Sequence, residues 1–324
     1  MVPTNLELPG GYKMPILGFG TWQATDEELE SAMELALKAG YRHIDTAYVY
    51  DNEHVIGRVL KRWITSGKVN RKDLFIVTKL PPGGTRPESV AKYMKKSLES
   101  LQLDYLDQYL MHVPFAFKEI EGDNHPKNAD GEILVDMNTD HLAIWKEMEK
   151  LVDAGLTHTI GISNFNIRQI ERILSNARIR PVTLQIELHV YFQQNELVDF
   201  CKQNSISVTA YSPLGSKGLS ELLAKLGVNH KSLNLLEVPV VKEIATKHGE
   251  TPAQVLLRYT VQRGIAAIPK STNAQRLKEN ISIFDFKLDN DDVAKLKSLD
   301  QGAAARVCDF SFMKGIEKHP EFPF

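Results

Sequence analysis

Short apolar runs rich in β-branched residues alternate with longer segments whose apolar residues recur every three or four positions. The first pattern predicts buried strands and the second predicts amphipathic helices. Strand-like runs fall at residues 17–20, 43–46, 75–79, 105–111, 159–162, 183–186, 207–210 and 265–268. Helical spacing follows them at 26–38, 52–64, 87–101, 139–154, 166–175, 194–203, 240–247 with 252–263, and 273–281. In the first helix Leu29, Met33, Ala36 and Leu37 share a face, and Gly40 supplies the stop. In the third, Val90, Met94, Leu98 and Leu101 do the same. A hairpin comes before them, with Gly10-Gly11 as its turn. An extra helix at 289–299 and a tail bearing Phe310, Phe312, Phe322 and Phe324 come last. Strands that alternate with helices form parallel sheets. Eight such repeats predict an α/β fold of the (β/α)8 TIM barrel type with an N-terminal β-hairpin. Two polar stretches, 113–138 and 212–236, are long enough to read as functional loops. A single domain over 1–324 is the simplest organisation.

Composition narrows the function rather than the fold. A net charge of −2 does not suit a nucleic-acid binder. The two cysteines, Cys201 and Cys308, have no C-x-x-C spacing, so neither a disulfide scaffold nor a zinc site is expected. No metal is expected at the strand ends, where no His/Asp ligand cluster gathers. The start of the chain lacks a basic-then-apolar leader, and no run is long enough to span a bilayer. A cytoplasmic protein with neither nucleic acid nor a membrane as partner is therefore expected.

The candidate chemistry sits where strands end. Asp45 and Tyr50 follow the second strand, Lys79 closes the third, and His112 closes the fourth. In a parallel barrel those ends share one face, which carries the active site. A phenol, an ammonium, an imidazole and a carboxylate brought together can protonate a carbonyl oxygen while a hydride arrives at carbon. A free tyrosine has a pKa of about 10, and a neighbouring cation lowers it. Singly, each residue has a plainer reading. Asp45 and Lys79 could be a buried structural pair, Tyr50 packing, and His112 a core histidine. Their successive placement is what points to catalysis.

Three further segments make a family resemblance specific. The stretch Gly40-Tyr-Arg-His-Ile-Asp-Thr-Ala-Tyr-Val-Tyr-Asp-Asn-Glu-His-Val-Ile-Gly57, then Gly161-Ile-Ser-Asn-Phe165, then Ile268-Pro-Lys-Ser271 resemble, in order, signatures of the aldo-keto reductases. The likeness covers nearly the whole chain. It implies a catalytic tetrad of Asp45, Tyr50, Lys79 and His112, with Tyr50 as general acid, and NADPH/NADP+ as cofactor. It also implies that Ser163, Asn164 and Gln185 hold the carboxamide and that Tyr211 stacks on the nicotinamide. Ser212, Leu214 and Ser216 would line the pyrophosphate. Lys270, Ser271 and Arg276 would hold a 2′-phosphate, Glu279 and Asn280 the adenine. Thr21 and Trp22 would face nicotinamide and substrate, the latter in a pocket with Val49, Val113 and Phe115. Aldose-reductase-like members often carry Trp where this chain has Val113 and Pro81. Smaller groups there would widen the pocket and remove stacking surface. A bulky carbonyl, such as a 3-oxosteroid, 3-dehydroecdysone or a lipid aldehyde, is then expected. More loosely, the chain resembles insect members of the family. The alternative is a cofactor-binding module with little turnover, as in channel-subunit-like or lens barrels. The intact tetrad and the absence of an N-terminal extension speak against it.

Overall fold

The computed structural model describes residues 4–225, 227–228 and 233–324. In chain order the elements are β1 (Asn5–Glu7), β2 (Lys13–Pro15), β3 (Phe19–Gly20), α1 (Asp26–Ala39), β4 (His43–Asp45), α2 (Glu53–Thr65) and β5 (Phe75–Leu80). Next come α3 (Pro87–Leu101), β6 (Leu106–Met111), α4 (His141–Asp153), β7 (Thr157–Ser163), α5 (Ile167–Leu174), β8 (Thr183–Glu187) and α6 (Asn195–Gln203). The last are β9 (Ser207–Tyr211), α7 (Lys217–Lys225), α8 (Pro239–His248), α9 (Pro252–Gln262), β10 (Ala266–Ala267), α10 (Ala274–Ile281) and α11 (Asn290–Lys297). The predicted alternation is therefore observed, with most boundaries within two residues. Among the described residues no helix is long and apolar enough to cross a membrane.

The chain divides into two compact units. The first comprises Met1–His43, Gln185–Gln203 and Ser207–Cys308. Its hairpin pairs Leu6 with Met14 in antiparallel register, and β9 pairs with β10 in parallel. Two predicted strands are shorter than expected. The first is β3 alone, preceded by a single parallel bridge from Leu17 to Ala267, and the eighth is only Ala266–Ala267. Their backbones still interlock: Gly18 N donates to Ala267 O at 2.8 Å and Ala267 N donates to Ile16 O at 2.9 Å. The approach is tight, since a Cβ on Gly20 would stand 2.6 Å from Ile268 O. Helix α1 opens with a Thr25/Glu28 capping box and closes on Gly40 at φ 105°, satisfying backbone groups at both ends.

One helix was not expected. Lys217–Lys225 forms α7 inside the stretch 212–236 predicted as loop. Gly218 weakens local helix propensity there. Leu219 and Leu223, four apart, are nevertheless both buried, so packing outweighs the glycine.

The second unit comprises Ile44–Leu184, Asn204–Ile206 and Asp309–Phe324. Strands β5, β6 and β7 are parallel neighbours, with Lys79 opposite Leu110 and Gln108 opposite Thr159. Every residue of β5 and β6 is buried, as expected for parallel strands covered on both faces. Gly161 lets β7 approach closely, since a Cβ there would lie 2.6 Å from Thr183 O. The long segment after β6 is ordered by an apolar cluster of Val113, Phe115, Phe117, Ile133 and Ile316.

Candidate active site

Asp45, Tyr50, Lys79 and His112 all fall in the second unit. Asp45 is the last residue of β4, and Tyr50 closes a single 3-10 turn, Tyr48–Tyr50, that follows it. That turn ends at Asp51 in the left-handed region, φ 54°. Lys79 is the penultimate residue of β5, and His112 directly follows β6. Strand order thus turns four distant positions into one group.

Its centre is an ion pair. Lys79 Nζ donates to Asp45 Oδ1 at 2.6 Å and to Thr46 O at 2.7 Å. The ammonium side chain is fully buried, 0% exposed, and Asp45 nearly so at 3%. Burial pulls the Lys79 pKa down, while the charge and hydrogen bond of Asp45 pull it back up. Lys79 Nζ lies 5.1 Å from the centre of the Tyr50 ring. The Tyr50 and His112 rings meet edge-on, 5.8 Å between centres.

His112 is anchored through its backbone: its N–H donates to Leu80 O, and its carbonyl accepts from Asn164 Nδ2 at 3.0 Å. Burial, and then the positive charge of Lys79, hold its imidazole well below the usual range. The ring is therefore neutral near pH 7. Its buried Nδ1 has no hydrogen-bond partner among the described residues. Asn164 also donates to Ser163 Oγ at 3.1 Å and sits at φ 64°, a conformation asparagine tolerates. Both Ser163 and Asn164 are buried.

A carboxylate that the sequence reading passed over lies behind this group. Glu53, at the start of α2, is buried and accepts from Thr78 Oγ1 at 2.6 Å. Burial pushes its pKa up, against the pull of Thr78, Ser97 and Lys79. An acid in the first turn of a helix ordinarily reads as a solvated partner of the helix dipole. Only the packing of α2 reveals otherwise.

Three residues were expected to line a pocket in this unit. Val49 is half-buried in the turn before Tyr50. Val113 is 4% exposed and Phe115 is fully buried. Phe115 meets Phe310 edge-on at 5.4 Å and stacks on Phe322 at 6.3 Å, so tail residues close over it.

The remaining candidates belong to the first unit. Thr21 and Gln185 are buried, whereas Trp22 and Tyr211 are half-buried, the latter ending β9. Ser212 and Ser216, with φ of 50° and 49°, flank half-buried Leu214 in the turn into α7. Beyond β10, Lys270 Nζ donates to Gln23 O at 3.4 Å. Ser271 Oγ accepts from Asn273 N at 3.2 Å, and Asn273 caps α10 by accepting from Arg276 N at 3.0 Å. Burial pulls the Lys270 pKa down, opposed by Glu28 and reinforced by the positive charge of Arg276. Two cations close enough to repel, beside a buried hydroxyl, suit a dianion. Glu279 accepts from Gln275 at 2.9 Å, and Asn280 is buried. Among the described residues no group of three or more His, Cys, Asp or Glu could hold a metal.

The chain is similar to known proteins over nearly its whole length. Residues 16–301 match the family model described as "Aldo/keto reductase family". Aldo-keto reductase family 1 member A1 of Mus musculus is 46% identical over 303 residues, covering 93% of this chain and 90% of that protein. The Homo sapiens member A1 is 45% identical, covering 100% of this chain and 99% of its own length. Aldo-keto reductase family 1 member C4 of Homo sapiens is 42% identical, covering 99% and 97%. The solved structure of the aldose reductase from Schistosoma japonicum superposes with a TM-score of 0.89 at 41% identity, covering 99% of this chain and 98% of the other. The fold class is thus the (β/α)8 barrel expected from the eight strand–helix repeats.

Proposed function

Since the chain belongs to the aldo/keto reductase family and is an oxidoreductase of that class, we propose that it reduces aldehydes and ketones to alcohols with NADPH. Tyr50 is the general acid that protonates the carbonyl oxygen. Lys79, held by Asp45, stabilises the phenolate that remains. His112, neutral, donates a hydrogen bond from Nε2 to the same oxygen and orients the substrate. General-acid assistance of this kind is worth about 10²–10⁴-fold. NADPH supplies the hydride when bound, since no side chain stores one.

The observation that carries the reading is the fully buried Lys79, 2.6 Å from Asp45 and 5.1 Å from the Tyr50 ring. An ammonium buried this completely is costly unless it is paired. Here the pair stands beside a half-buried phenol and a neutral imidazole. In the same unit, Ser163 and Asn164 suit a carboxamide. In the first unit, Lys270, Ser271 and Arg276 suit a 2′-phosphate, and Arg can engage it as a fork. That cluster favours NADPH over NADH. Tyr211 supplies a stacking face, Gln185 an amide, and Ser212, Leu214 and Ser216 a turn suited to phosphates. Glu279 and Asn280 would reach the adenine. Trp22 and Thr21 are taken as nicotinamide and substrate contacts.

For substrate we favour a bulky apolar carbonyl, such as a 3-oxosteroid, 3-dehydroecdysone or a lipid aldehyde. Support comes from Val113 and Phe115, which belong to a hydrophobic cluster against which Phe310 and Phe322 pack. We take the protein as a cytoplasmic monomer of one domain. The test is loss of the near-ultraviolet absorbance of NADPH on mixing with small aldoses, alkenals and 3-oxosteroids, with NADH in parallel. NADPH-preferring turnover that rises with substrate bulk is expected. Tight NADPH binding without turnover on any of them would overturn the reading in favour of a binding module.

A further inference from the structure

The end of the tail carries a histidine whose protonation state its contacts decide. His319 is buried, 2% exposed, within the second unit. Its Nδ1 receives the backbone N–H of Glu321 at 3.0 Å. Its Nε2 lies 2.8 Å from Asp136 O and 3.0 Å from Thr139 Oγ1. An amide N–H can only donate, so Nδ1 carries a lone pair. A carbonyl oxygen can only accept, so Nε2 carries the proton. The Ala116 N–H also points at Nε2, but at 3.4 Å against 2.8 Å to Asp136 O, so the shorter contact sets the tautomer. The contacts thus select one neutral tautomer, and through it the tail is tied to the segment that follows β6.

The charged neighbours do not invite a second proton. The Asp136 carboxylate is paired with Arg86 at 2.5 Å. The Glu321 carboxylate is paired with Arg172 at 2.6 Å and accepts from Gln169 at 3.0 Å. His141, on α4, points its Nε2 at Pro114 O, 2.6 Å away. On the remaining side stands the Phe115 ring, 6.4 Å off. Protonating Nδ1 would turn an acceptor into a donor facing the Glu321 N–H. Burial already disfavours that step and pulls the His319 pKa down, while the carbonyl of Asp136, Glu321 and the Asp136 charge partly oppose it.

What this clamp holds is aromatic. Phe310 stacks on Phe324 at 5.7 Å, Phe324 meets Phe322 edge-on at 5.7 Å, and Phe310 and Phe322 cover Phe115. Phe310 itself adopts φ 61°, a conformation a bulky side chain keeps only when its surroundings enforce it.

We propose that His319 is a specificity-determining positioning residue: as the neutral Nε2–H tautomer it clamps the tail to residues 113–140 and fixes the aromatic wall of Phe310 and Phe322, and its protonation loosens that wall. Its kinetic consequence rests on the carbonyl-reductase reading above; its structural consequence does not. The clamp is intact above the ordinary imidazole pKa of about 6.5 and weakens progressively as pH falls below it.

Two readouts test this on the full chain. Hydrogen exchange of residues 309–324, corrected for intrinsic rates, is measured at pH values above and below the imidazole range in wild type, His319→Ala and His319→Gln. Wild-type protection should fall about tenfold on acidification, the scale of one lost hydrogen bond to a buried group. His319→Ala should be unprotected at both pH values. His319→Gln keeps an N–H donor but has no titratable ring to span both Asp136 O and the Glu321 N–H, so its protection should be intermediate and independent of pH. In parallel, kcat/KM with NADPH is compared for a 3-oxosteroid and a short-chain aldehyde. His319→Ala should lower the ratio of steroid to aldehyde about tenfold, by the same argument, with the aldehyde nearly unchanged. Wild-type protection of the tail in His319→Ala, or its invariance with pH in wild type, would overturn the clamp. A lost clamp with an unchanged substrate ratio would overturn its role in specificity. An intact clamp in a protein that reduces neither probe would count against the reductase reading instead.

Discussion

Two cationic groups in this chain live under opposite conditions, and each suits a different task. Lys79 is sealed from solvent against Asp45, with its remaining surroundings set by strand ends. Arg276 is exposed on the first turns of α10, near Lys270. In a desolvated setting charges interact strongly and salt screens them little. At the surface the same charges are screened and weaker, but remain open to a ligand. On the proposed function, the buried pair sets the properties of a neighbouring phenol and the exposed pair attracts an anion.

The largest effect should come from unbalancing the buried pair. Asp45→Asn leaves the Lys79 ammonium unpaired and should cost about 3–5 kcal/mol of stability. Urea unfolding followed by circular dichroism measures this. A double replacement, Asp45→Leu with Lys79→Met, should recover much of that stability without recovering turnover. Full activity in the double variant would show that the pair is only structural.

A smaller effect should follow at the exposed cluster. Arg276→Ala should weaken NADPH binding about tenfold, the scale of a charged hydrogen bond reduced by solvent screening. NADH binding should barely change. The difference should shrink at high salt, because screening acts on exposed charges first. Titration calorimetry at two ionic strengths distinguishes this from a general loss of folding. Equal losses for both cofactors would remove the 2′-phosphate role from α10.

The sequence was most legible where periodicity and chemistry coincided. Helix 87–101 was bounded to the residue because Pro87 suits a first helical position and Leu101 ends an apolar stripe. The strands that carry Asp45 and Lys79 were legible to within one residue, 43–46 and 75–79 against His43–Asp45 and Phe75–Leu80. Elements that depend on tertiary contact were harder to read. The shortness of β3 and β10 leaves no mark on hydropathy, nor does the close approach of Gly20 to the Ile268 backbone. Helix α7 was hidden by Gly218. Glu53 reads as a surface acid until α2 buries it, and His319 reads as one more tail residue until Asp136 and Glu321 close around it. For Glu53 and His319 the missing information is a partner distant in sequence, Thr78 and Asp136.

On the proposed function Tyr50 gives the proton, while its neighbours only make that possible. The most direct measurement is turnover of Tyr50→Phe on the best carbonyl substrate, alongside its NADPH affinity by fluorescence titration. Loss of the hydroxyl should lower kcat by about 10²–10⁴-fold, the usual worth of a general acid, and leave NADPH affinity within about twofold. Turnover at the wild-type rate with unchanged affinity would remove Tyr50 as the general acid.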